Sequence, residues 1–298
     1  MAAKVTVIGS INMDLVAQAE RFPNKGETLL GQDFQTIPGG KGANQAVAAA
    51  KLGADVTMIG CVGDDPFGQP LINNLKEQGV NHCQVETIEG VPTGIAHITV
   101  ADHDNTIIVV PGANNHVTPE MVRQYEEDIK ASDIVLLQFE IPLESVKEVV
   151  NLANQHGVKV VMNPAPIRSI NLNLLEKVDF LTPNEHELKI LIDDEEKDTF
   201  YKDNRDRFFV TYGSEGVHMV EDGEASIVPG YKVDVVDTTG AGDTFNGGFA
   251  VAIAEGQSYA EAARFGNAAG ALSVSQFGAQ TGMPNREDVM KLLNGELG

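Results

Sequence analysis

The sequence predicts an α/β protein built on a mainly parallel central sheet with helices on both faces. Three observations carry that expectation. Short β-branched runs alternate with helical stretches, as at 134–137, 142–156 and 158–162. Glycine-rich turns stand between strand-like and helical segments at 38–42 and 237–243. Two regions without helical period, 15–37 and 93–110, read as hairpins and would build a small sheet of their own.

The 298 residues suffice for one large or two small domains, and 42% hydrophobic with 21% charged residues is the composition of a folded, soluble chain. A formal charge of −22 excludes nucleic acid and anionic membranes as general partners. It also obliges any phosphate site to work through local amides, a few cations and a metal ion. Cys61 and Cys83 lack metal-ligand spacing and suit a reducing compartment, and His82, His97, His103, His116, His156, His186 and His218 offer no zinc pair or catalytic triad. No apolar run of signal or membrane length precedes the first strand, so a cytoplasmic location is expected.

Taken in order, a strand at 4–9 ends at Ser10-Ile11-Asn12-Met13-Asp14, which puts Asn12 and Asp14 where α/β sheets bind ligands, unless they are plain turn formers. A hairpin over 15–37 turns at Pro23-Asn24-Lys25-Gly26. In Pro38-Gly39-Gly40-Lys41-Gly42-Ala43-Asn44 the glycines let backbone approach a ligand, and Lys41 and Asn44 add donors. Walker spacing is absent, so a polyhydroxyl substrate suits this turn better than a phosphate. A helix stopping at Gly53, a strand at 56–60 and a helix at 66–78 follow. The hairpin 93–110, across Asp102-His103-Asp104-Asn105, would act as a lid and would expose Ile95, Ile98, Ile107 and Val109 in an isolated chain.

Glu140 is expected to end the strand beginning at Ile134. Asn184 and Glu187 stand one helical turn apart at a strand-to-helix junction, suited to hydrated Mg²⁺ and its phosphates or to capping the helix. The acidic run 193–196 reads as a solvated loop, and the strand 208–211 leads to Gly213-Ser214-Glu215-Gly216, a nucleotide turn or a simple hairpin turn. A strand at 231–236 then ends in Asp237-Thr238-Thr239-Gly240-Ala241-Gly242-Asp243, which opens a helix. Amides at such a helix start, with its dipole, form an anion site. A carboxylate there competes with the anion, so Asp243 reads either as an N-cap or as a general base for phosphoryl transfer. Helices at 259–274 and 286–293 flank a loop at 278–282.

The two glycine stretches, with Gly53 and Gly63 behind the first and Asn184-x-x-Glu187 between them, resemble the signatures of the ribokinase-like (PfkB) carbohydrate kinases, and the likeness runs from Val5 to Pro284. It implies one α/β/α kinase domain over 1–298, with lid segments at about 13–37 and 91–111. It also implies ATP-dependent phosphorylation of D-ribose at O5. On matching positions, Asp243 would be the base and the amides of Gly240, Ala241 and Gly242 the anion hole. Asn12, Asp14, Gly39, Gly40, Lys41, Asn44 and Glu140 would contact the sugar. Asn184, Thr211, Tyr212, Gly213, Ser214, Glu215, Gly216, Gly242 and Asn267 would contact ATP, and Glu187 would reach Mg²⁺ through water. K⁺ would lie among Asp237, Thr239, Ser273, Gln276, Gly278 and Gly282, where members of the family can carry serine at the last position. The resemblance further implies a homodimer through the lid. Between Leu188 and Phe208 the chain is shorter than the family pattern, which suggests a trimmed helix.

Other readings are a kinase for 2-deoxyribose, fructose or a nucleoside, and a sugar-binding protein without catalysis. A nicotinamide oxidoreductase would need Gly-x-Gly-x-x-Gly after the first strand, where Gly9-Ser10-Ile11-Asn12 stands instead.

Overall fold

The computed structural model describes residues 2–102 and 104–296, so His103 of the hairpin turn lies outside the described residues. The first half of the chain contributes β1 (Lys4–Ile8), β2 (Asn12–Gln18), β3 (Asp33–Gly39), α1 (Lys41–Lys51), β4 (Asp55–Gly63), α2 (Gly68–Glu77), β5 (Asn81–Ile88), β6 (Gly94–Ala101), β7 (Asp104–Val110), α3 (Pro119–Gln124) and α4 (Glu126–Lys130). The second half adds β8 (Ile134–Leu137), α5 (Leu143–His156), β9 (Lys159–Met162), α6 (Leu172–Leu175), β10 (Phe180–Leu181), α7 (Glu185–Leu191), α8 (Glu195–Asp203), β11 (Val210–Thr211), β12 (Gly216–Glu221), β13 (Glu224–Pro229), α9 (Ala241–Ala254), α10 (Tyr259–Ser273) and α11 (Arg286–Leu293).

The central sheet runs β10-β9-β8-β1-β4-β5, every pairing parallel. Its strands are apolar on both sides because each side is covered. Val5 and Val7 of β1, Met58 of β4 and Leu136 of β8 pack with α1, α2, α9 and α10 on one face. Ile8, Ile59 and Leu137 pack with α3, α5 and α7 on the other. Edge-to-face contacts among Phe180, Phe209 and Tyr259, with Phe249 against Phe180, consolidate the first layer beside β10. Cys61 is buried and its thiol is pushed up to about 12, first by burial and then by Glu86, whereas Cys83 is exposed.

A second sheet, β3-β2-β6-β7, is the small sheet expected from the two hairpin regions, with β2 and β6 parallel at its centre. Val16, Ala96 and Ile98 form its own small core, so Ile98 is buried rather than exposed as the sequence suggested. Phe34, Ile107, Ile108, Val109 and Val110 are the exposed apolar residues there. A third sheet, β11-β12-β13, is antiparallel and abuts β10 through bridges Leu181–Phe208 and Asn184–Thr211.

Three local expectations are corrected. Residues 231–236 are rich in valine but form no strand; Val236 N–H donates to the O of Val274, the C-cap of α10, at 2.8 Å rather than to a neighbouring strand. The acidic run 193–196 starts α8 instead of forming a loop, since Asp194 caps it by accepting from Lys197 N–H at 2.9 Å. α8 thus occupies part of the stretch between Leu188 and Phe208. Glu140 lies three residues past the end of β8, on a loop.

Candidate active site

The carboxyl-terminal ends of β1, β8, β9 and β10 point to one cleft, the usual place for ligands in such sheets. β1 is followed at once by Ser10, Asn12 and Asp14, which carry the chain into the small sheet. Glu140 reaches across from the β8 loop. Its Oε2 accepts from Ser10 Oγ at 2.5 Å, Lys41 N–H at 3.2 Å and Asn12 Nδ2 at 3.4 Å, tying the start of α1 to the end of β1. Asn12 is held from the far side by Asn114, whose Nδ2 donates to Asn12 Oδ1 at 2.7 Å.

The first glycine turn makes room for this cluster. A side chain at Gly39 would occupy the Asp14 carboxyl, and Gly40 caps α1 at φ 89°, with Asn12 N 2.7 Å from where a Cβ would stand. Asp14 is buried, and its carboxyl is raised to about 7, first by burial and then by the charges of Glu140 and Asp243 against the opposing pull of Lys41. Burial pulls the Lys41 ammonium down, but the summed field of Asp243, Glu140, Glu187 and Asp14 outweighs it and lifts the pKa.

Asp243 lies in the first turn of α9 and is buried. It does not cap the helix; Gly240 occupies the N-cap at φ 78° without a side-chain bond. Its two oxygens accept from neutral amides, Asn44 Nδ2 on Oδ2 at 2.9 Å and Gln45 Nε2 on Oδ1 at 3.0 Å. Gln138 Nε2 donates to Gln45 Oε1 at 2.5 Å, and Gln45 Nε2 also reaches Asn163 Oδ1 at 3.3 Å. Ahead of Asp243, the N–H groups of Gly240 and Gly242 meet no acceptor among the described residues, and Ala241 N–H has only a 3.3 Å bond back to Thr238 O. Space beside Gly242 is open. The Asp237 carboxylate shapes the turn, accepting from Thr239 N–H and Gly278 N–H at 2.9 Å each.

Around Gly282 the chain folds so that a side chain would run into the carbonyl oxygens of Ser273, Gly278 and Gln276. Converging carbonyls of this kind suit a hard monovalent cation, and glycine at 282 leaves them clear. No group of three or more His, Cys, Asp or Glu side chains able to hold a metal occurs among the described residues. Asn184 and Glu187 form a reciprocal capping box on α7: Asn184 Oδ1 accepts from Glu187 N–H at 2.8 Å and Glu187 Oε2 from Asn184 N–H at 2.8 Å. Glu187 Oε1 is left for another partner, and burial raises the carboxyl above its ordinary value.

Thr211 sits beside Asn184 through their bridge, and Tyr212 stacks on His218 with centroids 4.1 Å apart. Gly213, Ser214 and Glu215 form a single 3-10 turn, and Glu215 O accepts from Gly230 N–H. Asn267 spends both donors on Val228 O and Pro229 O, at 3.0 and 3.2 Å, next to Gly216 in the β12–β13 register. The residues expected to touch ATP thus occupy the rim between α7, the third sheet and α10. Sequence reasoning did not single out Ser10, Gln45, Asn114, Gln138 or Gln280. Scattered amides carry no spacing that would have marked them.

A family model described as pfkB family carbohydrate kinase matches residues 2–286. A ribokinase from Bacillus subtilis is 47% identical over 290 residues, covering 97% of this chain and 99% of that protein. One from Lactococcus lactis is 48% identical over 288 residues, covering 96% and 95%. The solved structure of Arabidopsis thaliana ribokinase complexed with ribose and ATP superposes with a TM-score of 0.90 at 37% identity, covering 98% of this chain and 99% of that one.

Proposed function

The chain belongs to the pfkB family of carbohydrate kinases and is a sugar kinase, and from that premise we propose that it transfers the γ-phosphoryl group of ATP to O5 of D-ribose. The observation that carries the reading is a buried carboxylate, Asp243, held by neutral amides one step behind the N–H groups of Gly240 and Gly242, which meet no acceptor among the described residues. Kinship with a ribokinase solved with ribose and ATP supports the same substrates.

In this reading Asp243 takes the proton from the attacking hydroxyl, while the amides of Gly240, Ala241 and Gly242 steady the charge on the transferring phosphoryl oxygens. Neutral donors suit that work. A cation bonded directly to Asp243 would hold its electron pair and weaken it as a base. Asn12, Asp14, Glu140 and the Lys41 ammonium pair with the sugar hydroxyls, and a missing hydroxyl would strand a buried polar partner. The backbone at Gly39 and Gly40, with Asn44, closes around the same sugar.

ATP would lie along Asn184, Thr211–Gly216 and Asn267 with its phosphates toward Gly242. When bound, Mg²⁺ supplies charge neutralisation on those phosphates, and Glu187 Oε1 is free to hold one of its waters. K⁺ would be held by the carbonyls of Ser273, Gln276 and Gly278 near Gly282, with Asp237 and Thr239 shaping the adjoining turn. The small sheet would close over the sugar, and its exposed apolar strand would pair with that of a second copy.

Asp243→Asn tests the proposal. We expect turnover to fall by at least about a thousand-fold with sugar binding retained, measured by ADP release and by calorimetry. An Asp243→Asn enzyme of wild-type rate ends the proposal. A panel of ribose, 2-deoxyribose, fructose and nucleosides, with and without K⁺, fixes substrate and cation together.

A further inference from the structure

The loop that follows α10 carries one buried polar side chain to which none of the roles above is assigned. Gln280 is 5% exposed, and both ends of its amide are engaged. Asn74 Nδ2, on α2, donates to Gln280 Oε1 at 2.7 Å, and Gln280 Nε2 donates to Asn44 Oδ1 at 3.0 Å. Asn44 Nδ2 then donates to Asp243 Oδ2 at 2.9 Å. The backbone beneath is pinned separately, since Lys51 Nζ donates to Gln280 O at 2.8 Å and Met283 O at 3.2 Å.

We infer that Gln280 is a positioning residue, fixing which end of the Asn44 amide faces Asp243 and so aiming the base. The sense of the relay follows from its inner end. A carboxylate only accepts, so Asn44 must offer Nδ2 and turn Oδ1 away, into a buried space where it needs a donor. Gln280 Nε2 is that donor, and Asn74 keeps Gln280 from turning over. Without Gln280, Asn44 Oδ1 is left buried with no donor, and only the bond to Asp243 holds the amide in its present orientation. Rotated by half a turn it would set oxygen against oxygen at Asp243 and push the carboxylate off line. Small displacements of a catalytic group are expensive in rate, because attack geometry is narrow.

The inference rests on Asp243 acting as the base, and its test separates the two. kcat and both KM values are measured for wild type, Gln280→Leu, Asn44→Ala and the double variant, alongside melting temperatures. We expect Gln280→Leu to lower kcat about ten-fold or more while KM for ATP changes by less than about two-fold. We expect the double variant to be no slower than Asn44→Ala, because the relay acts through that amide alone. A side chain that merely packs the loop would lower the melting temperature and leave kcat of the folded enzyme intact. That result, or additive losses in the cycle, overturns the inference. Should Gln280→Leu not fold, Asn74→Ala carries the test from outside the cleft. A fall in kcat of about three-fold that vanishes in the Asn44→Ala background supports the relay, and wild-type kcat overturns it. A wild type that transfers no phosphoryl group ends the kinase reading and this inference with it; additivity in an active enzyme ends the inference alone.

Discussion

Asp14, proposed to contact the sugar, is a carboxyl held at a cost in the folded chain. Its carboxyl is raised to about 7 from 3.8 by burial and by Glu140 and Asp243. The folded chain therefore holds a proton there that the unfolded chain has released over the same range. The stability linked to that proton is complete below about pH 4 and disappears as pH rises through about 7. Above pH 7 the empty protein carries an ionised, buried carboxylate that sugar hydroxyls would satisfy. Asp14→Asn should thus melt about 5 °C above wild type at pH 8 without sugar, with the gap closing toward pH 4, while sugar binding is lost. Calorimetric scans across that range check it, and a gap that does not depend on pH refutes it. Asp243 illustrates the opposite arrangement. Its oxygens are already satisfied by Asn44 and Gln45, so the proposed base would be set in place before substrate enters.

At the scale of elements, the site depends on how closely α1 and α9 approach, because Asn44 and Gln45 sit on one and Asp243 on the other. Gly247 permits that approach: a Cβ there would stand 2.7 Å from Ala48 Cβ and 3.0 Å from Gln45 O. The small residues that fill both helices are therefore a packing requirement of the catalytic pair. Gly247→Val should separate the helices, lower stability by about 2–4 kcal/mol and cut kcat more than it raises either KM. Denaturant unfolding and steady-state kinetics measure both, and unchanged kcat would show that the helix spacing does not set the base. The capping box of Asn184 and Glu187 belongs to this scale as well. It orders the start of α7 with the same two side chains proposed to face ATP, so the sequence reading of a cap and that of a ligand site describe one element.

For the whole molecule, charge and exposed apolar area pull in opposite directions. A net charge of −22 per chain repels a second copy, yet every residue of the edge strand β7 is exposed, with Ile108 at 65%, and Phe34 on the opposite edge strand β3 is 61% exposed. Apolar area of this kind on an edge strand calls for a cover. Light scattering at micromolar concentration should give a homodimer in moderate salt, where repulsion is screened within about 10 Å, and a monomer for Ile108→Lys. A monomeric wild type at every salt concentration would remove this interface. Among the described residues no helix is long and apolar enough to cross a membrane.

The alternation of strands and helices, the two glycine turns and the candidate base are readable along the chain because they depend on neighbours in sequence. β-Branched runs make strands, glycine makes room, and an acidic residue at a helix start stands out against the dipole. Local preference misled at 231–236, whose valines favour a strand but where Val236 N–H bonds the C-cap of α10 instead of a strand. The buried amides around the base left no trace of that sort. Asn74 and Gln280 lie 206 positions apart, and Asn44 and Asp243 lie 199 apart. Glutamine and asparagine have no period and no fixed spacing when they serve each other across layers. Only close packing, which allows no buried donor to go unanswered, brings them into one chain of hydrogen bonds.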